Sequence, residues 1–206
     1  ITAETYSKYI NPLDNTVKPL FGDAATATLI VGVDTDKPGL DGFVLGTNGA
    51  GYDKLIVPVG GMRNSYTKTE IKTTVDKYGN TRTNQNLYMD GAGISEFALE
   101  VVPDTVNAIL KKTSLKKEDI GYFVFHQANK FMLAFLQEKC DLLNCPYWND
   151  VKEYGNTVSN SIPIALVDLI NKGGTVPKNI MIIGFGVGLS WGGCIVNIKM
   201  PNGERG

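Results

Sequence analysis

Tyr122-Phe-Val-Phe-His-Gln-Ala-Asn129 is the stretch that decides the reading of this chain. Four apolar residues lead to His126, the only histidine present, and Asn129 follows three residues later. Phe131, Met132, Leu133 and Leu136 then fall at helical spacing. The pattern predicts a buried strand that delivers an imidazole to its C-terminal tip, followed by a helix. In open α/β sheets, the crevice beyond the strand ends is where ligands bind. A second polar cluster, Tyr154-Gly-Asn-Thr157, also precedes a helix-like run. The two together suggest a His/Asn site that polarises a carbonyl.

Working outward, Val158 to Asn171 reads as a helix with Ile162, Ala165, Leu166, Leu169 and Ile170 on one face, and Pro163 falls near its first turn, where proline is tolerated. Asn179-Ile-Met-Ile-Ile-Gly184 is a buried strand and Trp191 to Lys199 the last one; a glycine-rich turn between them predicts an antiparallel pair. Upstream, Ile94, Phe97, Val101, Val102, Val106, Ile109 and Leu110 recur at helical spacing, with Pro103 expected to kink the helix. Ile1 to Tyr9 could finish a strand, and Thr26 to Val31 reads as another. Residues 42–46 and 55–59 are short strand candidates, and the Thr-rich segment from Met62 to Asn86 is an extended surface excursion with a turn at Tyr78-Gly-Asn80. Strands alternating with helices indicate an α/β sheet.

Composition narrows the function. With 206 residues, 43% of them hydrophobic, the chain can bury a real core in one domain or two small ones. A net charge of -1 gives no argument for a nucleic-acid partner. No apolar run reaches the ~18 residues of a membrane span. A single histidine excludes a multi-histidine metal site, and three cysteines without metal spacing fit a reducing compartment, here the cytoplasm. No secretory leader is read, and the chain starts at Ile1 rather than Met, so its N-terminus is expected to have been removed or to lie in a longer protein.

The candidate residues each have a plain structural reading as well. A histidine ending an apolar strand can be a satisfied core residue, but the polar and small residues packed around this imidazole are not needed by a structural strand end. Asn156 alone could be a turn residue or helix cap. Paired, a neutral histidine N–H and an asparagine amide can converge on one oxygen and stabilise an enolate by roughly 3 kcal/mol per donor. Gly184-Phe-Gly-Val-Gly188 is not a dinucleotide fingerprint, because strand-like rather than helical sequence follows it. Its glycines shape either a loop whose backbone N–H groups face a ligand or a hairpin with no ligand role. Cys140, Cys145 and Cys194 all read as structural, none having a setting that would activate a thiol.

Phe21-Gly-Asp-Ala-Ala-Thr-Ala27, Met89-Asp-Gly91, His126-Gln-Ala-Asn129, Tyr154-Gly-Asn-Thr157 with Ser161-Ile-Pro163, and Gly184-Phe-Gly-Val-Gly-Leu-Ser-Trp-Gly192 occur in that order. This series resembles the C-terminal portion of the β-ketoacyl-(acyl-carrier-protein) synthase III family, within the thiolase superfamily. The resemblance implies a five-stranded mixed sheet with helices packed on it, the second half of a duplicated fold. Residues 1–33 would be terminal strands of the first half and residues 34–206 the C-terminal domain. It implies a decarboxylative Claisen condensation of acyl-CoA with malonyl-acyl carrier protein, in fatty acid biosynthesis. His126 and Asn156 would be catalytic; Phe185, Gly186, Val187, Gly188, Gln127 and Asn129 would serve substrate binding and the oxyanion hole. The nucleophilic cysteine would lie outside this chain, which is expected to be inactive alone. No cofactor is implied beyond the CoA and carrier-protein thioesters that are substrates. The partners implied are acyl carrier protein, acyl-CoA, the protein's own N-terminal half and a second copy in a homodimer, with no nucleic acid and no membrane. Two further expectations stand beside this one: a related condensing enzyme of secondary metabolism, and an inactive structural half-domain. The chain departs from the family pattern at Gly22-Asp-Ala-Ala-Thr-Ala27, at Val158-Ser-Asn160 and at Lys130-Phe-Met132.

Overall fold

A computed structural model of the chain describes residues 1–172 and 176–198. In chain order the strands and helices are β1 (Thr2–Glu4), β2 (Ala24–Thr26), β3 (Leu40–Thr47), β4 (Leu55–Ile56), β5 (Thr73–Val75), β6 (Thr81–Thr83), β7 (Tyr88–Met89), α1 (Gly91–Thr113), β8 (Tyr122–Phe125), α2 (Lys130–Lys139), α3 (Val151–Tyr154), α4 (Ser161–Lys172), β9 (Ile180–Gly186) and β10 (Ser190–Val196). The main sheet has the order β3-β10-β9-β8. β3, β10 and β9 pair antiparallel, whereas β8 and β9 are parallel. A parallel pair needs a long crossover, and α2, α3 and α4 supply it.

Pleating explains why β8 is apolar throughout. Phe123, Val124 and Phe125 are all fully buried. Phe123 and Phe125 join α1 residues Val102, Val106 and Ile109 and α2 residues Leu133 and Leu136, whereas Val124 meets Ala165 and Leu169 of α4. Successive side chains point to opposite faces, so a strand covered on both faces must be apolar at every position. Each such large side chain contributes roughly 1.5–3 kcal/mol by burial. That burial fixes the strand whose end carries His126.

Several expectations are corrected. The main sheet has four strands among the described residues rather than five. Beyond β8, the described residues form only a single parallel bridge, Phe123 to Tyr147, made by Phe123 N–H to Pro146 O and Trp148 N–H to Phe123 O. Pro146 has no N–H to offer a longer ladder. The expected strand from Thr26 to Val31 reduces to Ala24–Thr26, because its partner β1 begins at Thr2, opposite Thr26. Leu29, Ile30 and Val31 lie beyond that register and are 89%, 74% and 63% exposed. The 55–59 strand stops at Ile56, ahead of Pro58. α1 runs unbroken through Pro103, capped by Asp90 and ended at Ser114 in a left-handed conformation. The 158–171 helix begins as a 3-10 turn over Val158–Asn160 before α4. Of the expected last strand, Lys199 lies outside the described residues. Within the 62–86 excursion, β5 and β6 form a hairpin around the expected turn, and Arg82 pairs with the buried Asp14 at 2.7 Å.

The departure at Val158-Ser-Asn160 has a structural cause. Asn160 is fully buried. Its Oδ1 accepts from Thr2 Oγ1 at 2.8 Å and Thr26 Oγ1 at 3.1 Å, and its Nδ2 donates to Ala24 O and Thr157 O at 3.0 and 3.2 Å. One side chain thereby ties the β1–β2 ribbon to the turn that leads into α4.

Candidate active site

His126 follows the last residue of β8, and its N–H still bonds Ile183 O at 2.8 Å, so the ladder of β9 fixes its backbone. The ring is half-buried, stands edge-on to Phe185 at 5.3 Å, and its Nδ1 lies 2.7 Å from Ser161 Oγ on the first residue of α4. Burial pushes the imidazole down from its ordinary 6.5 to about 4, with a hydrogen bond from the ring to the Val158 backbone carbonyl opposing this more weakly. At neutral pH the ring is therefore an uncharged group with one N–H.

Asn156 lies between α3 and α4. Its N–H bonds Leu20 O at 2.8 Å and its carbonyl accepts from Gly22 N–H at 2.9 Å, so the Phe21-Gly-Asp motif stitches the Tyr154-Gly-Asn-Thr loop in place. The approach is close enough that a Cβ on Gly22 would sit 2.6 Å from Tyr154 O. Gly155 adopts φ +66°, a conformation that favours glycine. The side-chain Oδ1 accepts from Val158 N–H at 2.9 Å. An amide N–H can only donate, so this bond assigns the oxygen and leaves the Nδ2 donor outside it.

His126 and Asn156 line one cavity of about 510 Å³, together with Phe185, Gly186, Val187 and Ser161. Glu4, Tyr6, Phe21, Leu45, Val158 and Trp191 also face it. Three residues expected at the site are placed elsewhere. Gln127 is buried, donating to Phe125 O and accepting from Asp150 N–H, because strand alternation turns it away from its neighbour His126. Asn129 caps α2 by accepting from Met132 N–H at 2.9 Å. Gly188, at φ +138° in the β9–β10 turn, does not line the cavity. Ser161 was legible only as part of Ser-Ile-Pro, and nothing in the sequence tied it to His126. Glu4 and Leu45 carried no signal at all, since each reaches the cavity only through strand pairing.

The three cysteines stand apart from this cavity. Burial pushes the Cys140 thiol up to about 12 and raises those of Cys145 and Cys194. None is activated as a nucleophile.

The depressed imidazole has a consequence for stability. Unfolding returns the ring to its ordinary value, so between pH 6.5 and about 4 the unfolded chain binds a proton that the folded chain refuses. This contribution is fully present above pH 6.5, declines as pH falls through that window, and by its foot has cost up to about 3 kcal/mol. In urea unfolding at pH 7 and pH 4.5, the parent should lose about 2–3 kcal/mol relative to His126→Gln on going to the lower pH. A difference between the two proteins that does not change with pH would contradict the uncharged ring.

The match to known proteins follows the same residues. The family model described as "3-Oxoacyl-[acyl-carrier-protein (ACP)] synthase III C terminal" matches residues 110–198, which hold His126, Asn156 and Phe185, and the model described as "3-Oxoacyl-[acyl-carrier-protein (ACP)] synthase III" matches residues 1–49. A β-ketoacyl-(acyl-carrier-protein) synthase III of Clostridioides difficile is 33% identical over 198 residues, covering 95% of this chain and 57% of that protein. Among solved structures, a 3-oxoacyl-(acyl-carrier-protein) synthase III is 40% identical with a TM-score of 0.90, over 96% of this chain and 59% of the other. The β-ketoacyl-(acyl-carrier-protein) synthase III of Thermus thermophilus is 30% identical with a TM-score of 0.76, over 96% and 57%. The chain thus spans little more than half the length of these relatives. A histidine at a strand tip, an asparagine stitched beside it and glycines on the facing strand all fall within matched segments, and the chain belongs to the 3-oxoacyl-(acyl-carrier-protein) synthase III family of the thiolase superfamily.

Proposed function

We propose that this chain forms the decarboxylating half of a condensing enzyme that joins an acyl group to a malonyl thioester. The observation that carries the reading is that His126 and Asn156 line one cavity, each with one polar atom tied back to the protein, Nδ1 to Ser161 and Oδ1 to Val158. His126 Nε2 and Asn156 Nδ2 are then the nitrogens available to a thioester oxygen.

Two neutral donors on that oxygen favour the enolate over the carbonyl. As the bond to the malonyl carboxylate breaks, carbon dioxide leaves and its electron pair becomes the enolate. The apolar edge of Phe185 favours this loss, since a carboxylate is poorly solvated beside it. The enolate carbon then attacks an acyl thioester, whose developing oxyanion would be held by a backbone N–H near Val187, and the thiolate departs. That thiolate must come from outside residues 1–206, since the three cysteines here are unactivated. On this reading residues 1–33 belong with the other half of the fold and residues 34–206 form the C-terminal unit. Acyl-CoA and malonyl-acyl carrier protein are the substrates, in fatty acid biosynthesis in the cytoplasm, and the working enzyme is a homodimer. Among the described residues, no helix is long and apolar enough to cross a membrane.

The test pairs two proteins. The 206-residue chain, incubated with radiolabelled acyl-CoA, should take up no label. The whole protein should become labelled and, given malonyl-acyl carrier protein, release a 3-oxoacyl product. Labelling of Cys140, Cys145 or Cys194, or a whole protein that is acylated but forms no 3-oxoacyl product, would overturn the reading.

A further inference from the structure

We propose that Ser161 is a positioning residue that donates its hydroxyl hydrogen to His126 Nδ1 and thereby holds the ring's single hydrogen on Nε2. The inference rests on the reading of His126 as an oxyanion donor and supplies what that reading needs, a reason for the hydrogen to be on the nitrogen available to substrate.

A neutral imidazole has one N–H and one lone pair, and the bond made by one nitrogen decides the state of the other. The 2.7 Å contact between Nδ1 and Ser161 Oγ admits two arrangements. If Nδ1–H donated to the hydroxyl, the hydroxyl hydrogen would need an acceptor of its own. For a serine in the first turn of a helix, the local candidates are the carbonyls three and four residues back, Val158 O and Thr157 O. Val158 O already accepts from Ser161 N–H, and Thr157 O from Asn160 N–H at 3.0 Å and Asn160 Nδ2 at 3.2 Å. Ser161 is buried, and its one side-chain hydrogen bond among the described residues is the one to His126. If Ser161 donates instead, its hydrogen is satisfied by the Nδ1 lone pair, and the ring hydrogen lies on Nε2. Asn160 therefore acts on the site by occupying one of the two competing acceptors. The opposing group is the Val158 carbonyl, whose hydrogen bond favours the protonated ring.

Because His126 is the only histidine in the 206 residues, the chain labelled with ¹⁵N-histidine gives one imidazole whose two nitrogens are read directly by long-range ¹H–¹⁵N correlation. At pH 7 Nε2 should carry the hydrogen and Nδ1 should be bare. Ser161→Ala should shift the tautomer ratio toward Nδ1–H by about fivefold, the worth of one hydrogen bond. Ser161→Thr, which keeps the hydroxyl, should restore the parent ratio. Ser161→Gly replaces the alanine variant if that one does not fold. Hydrogen on Nδ1 in the parent, or a ratio unmoved in a folded variant lacking the hydroxyl, overturns the proposal. The measurement needs no turnover. An Nε2–H tautomer set by Ser161 in a protein that condenses equally well without His126 would sink the oxyanion reading alone, and the reverse pair of results would sink this one alone.

Discussion

His126→Ala and Asn156→Ala should each slow decarboxylation of the malonyl thioester by about 10²–10³-fold in the whole protein, while acylation by acyl-CoA proceeds at nearly the parent rate. The asymmetry follows from timing, because the two donors act on an oxygen that bears charge only once the carbon–carbon bond breaks. The double variant should fall well short of the product of the two single effects, because one remaining donor on a misplaced oxygen is worth little. Asn156→Asp is the sharper probe. Its Oδ1 still accepts from Val158 N–H, so the loop keeps its shape, but an acceptor replaces the donor and a negative charge faces the enolate. It should be at least as slow as the alanine variant. Single-turnover release of carbon dioxide, set beside the rate of acyl-enzyme formation, separates the two steps. Equal losses in both would mean that these residues support structure rather than the enolate.

Asn160→Ala should cost about 3 kcal/mol, since it removes every hydrogen bond of a fully buried side chain and leaves the Ala24 carbonyl and the Thr2 and Thr26 hydroxyls without that partner, while Thr157 O keeps its bond from the backbone N–H of residue 160. For a domain of this size, that corresponds to a drop of roughly 10 °C in melting temperature. The two threonine hydroxyls lie 2.6 Å apart, so once Asn160 is gone one can donate to the other and part of the loss is recoverable. Adding Thr2→Val and Thr26→Val to Asn160→Ala removes the stranded hydroxyls along with their partner and should return about 1 kcal/mol. Urea unfolding of the parent, Asn160→Ala, the Thr2→Val/Thr26→Val pair and the triple variant closes this cycle. A single variant as stable as the parent would show that the ribbon of residues 2–26 is held by something other than Asn160.

Much of the fold was legible because the relevant physics is local. An apolar run of four with a histidine at its end predicts β8 and its tip, since a strand covered on both faces has no polar position to spare. The 3.6-residue spacing located α1, α2 and α4, and the glycine-rich turn located the β9–β10 pair. His126 and Asn156 were legible as residue types suited to one oxygen, and the family resemblance ordered them. Other features depended on partners distant in sequence. Leu29, Ile30 and Val31 have strong strand propensity yet form no strand, because β1 begins at Thr2, opposite Thr26, and propensity cannot supply missing hydrogen bonds. Gln127 and Asn129 sit beside His126 in sequence but serve a strand–loop junction and a helix cap, because the backbone turns their side chains elsewhere. Ser161 and His126 are 35 residues apart, and Asn156 is seated by a bridge to Phe21 that no local pattern encodes. Sequence alone determined which residues could carry the chemistry and which strand and helix ends bear them. The tertiary structure decided which of them share a cavity, because long-range strand pairing and the approach of Gly22 to Tyr154 set distances that periodicity does not carry.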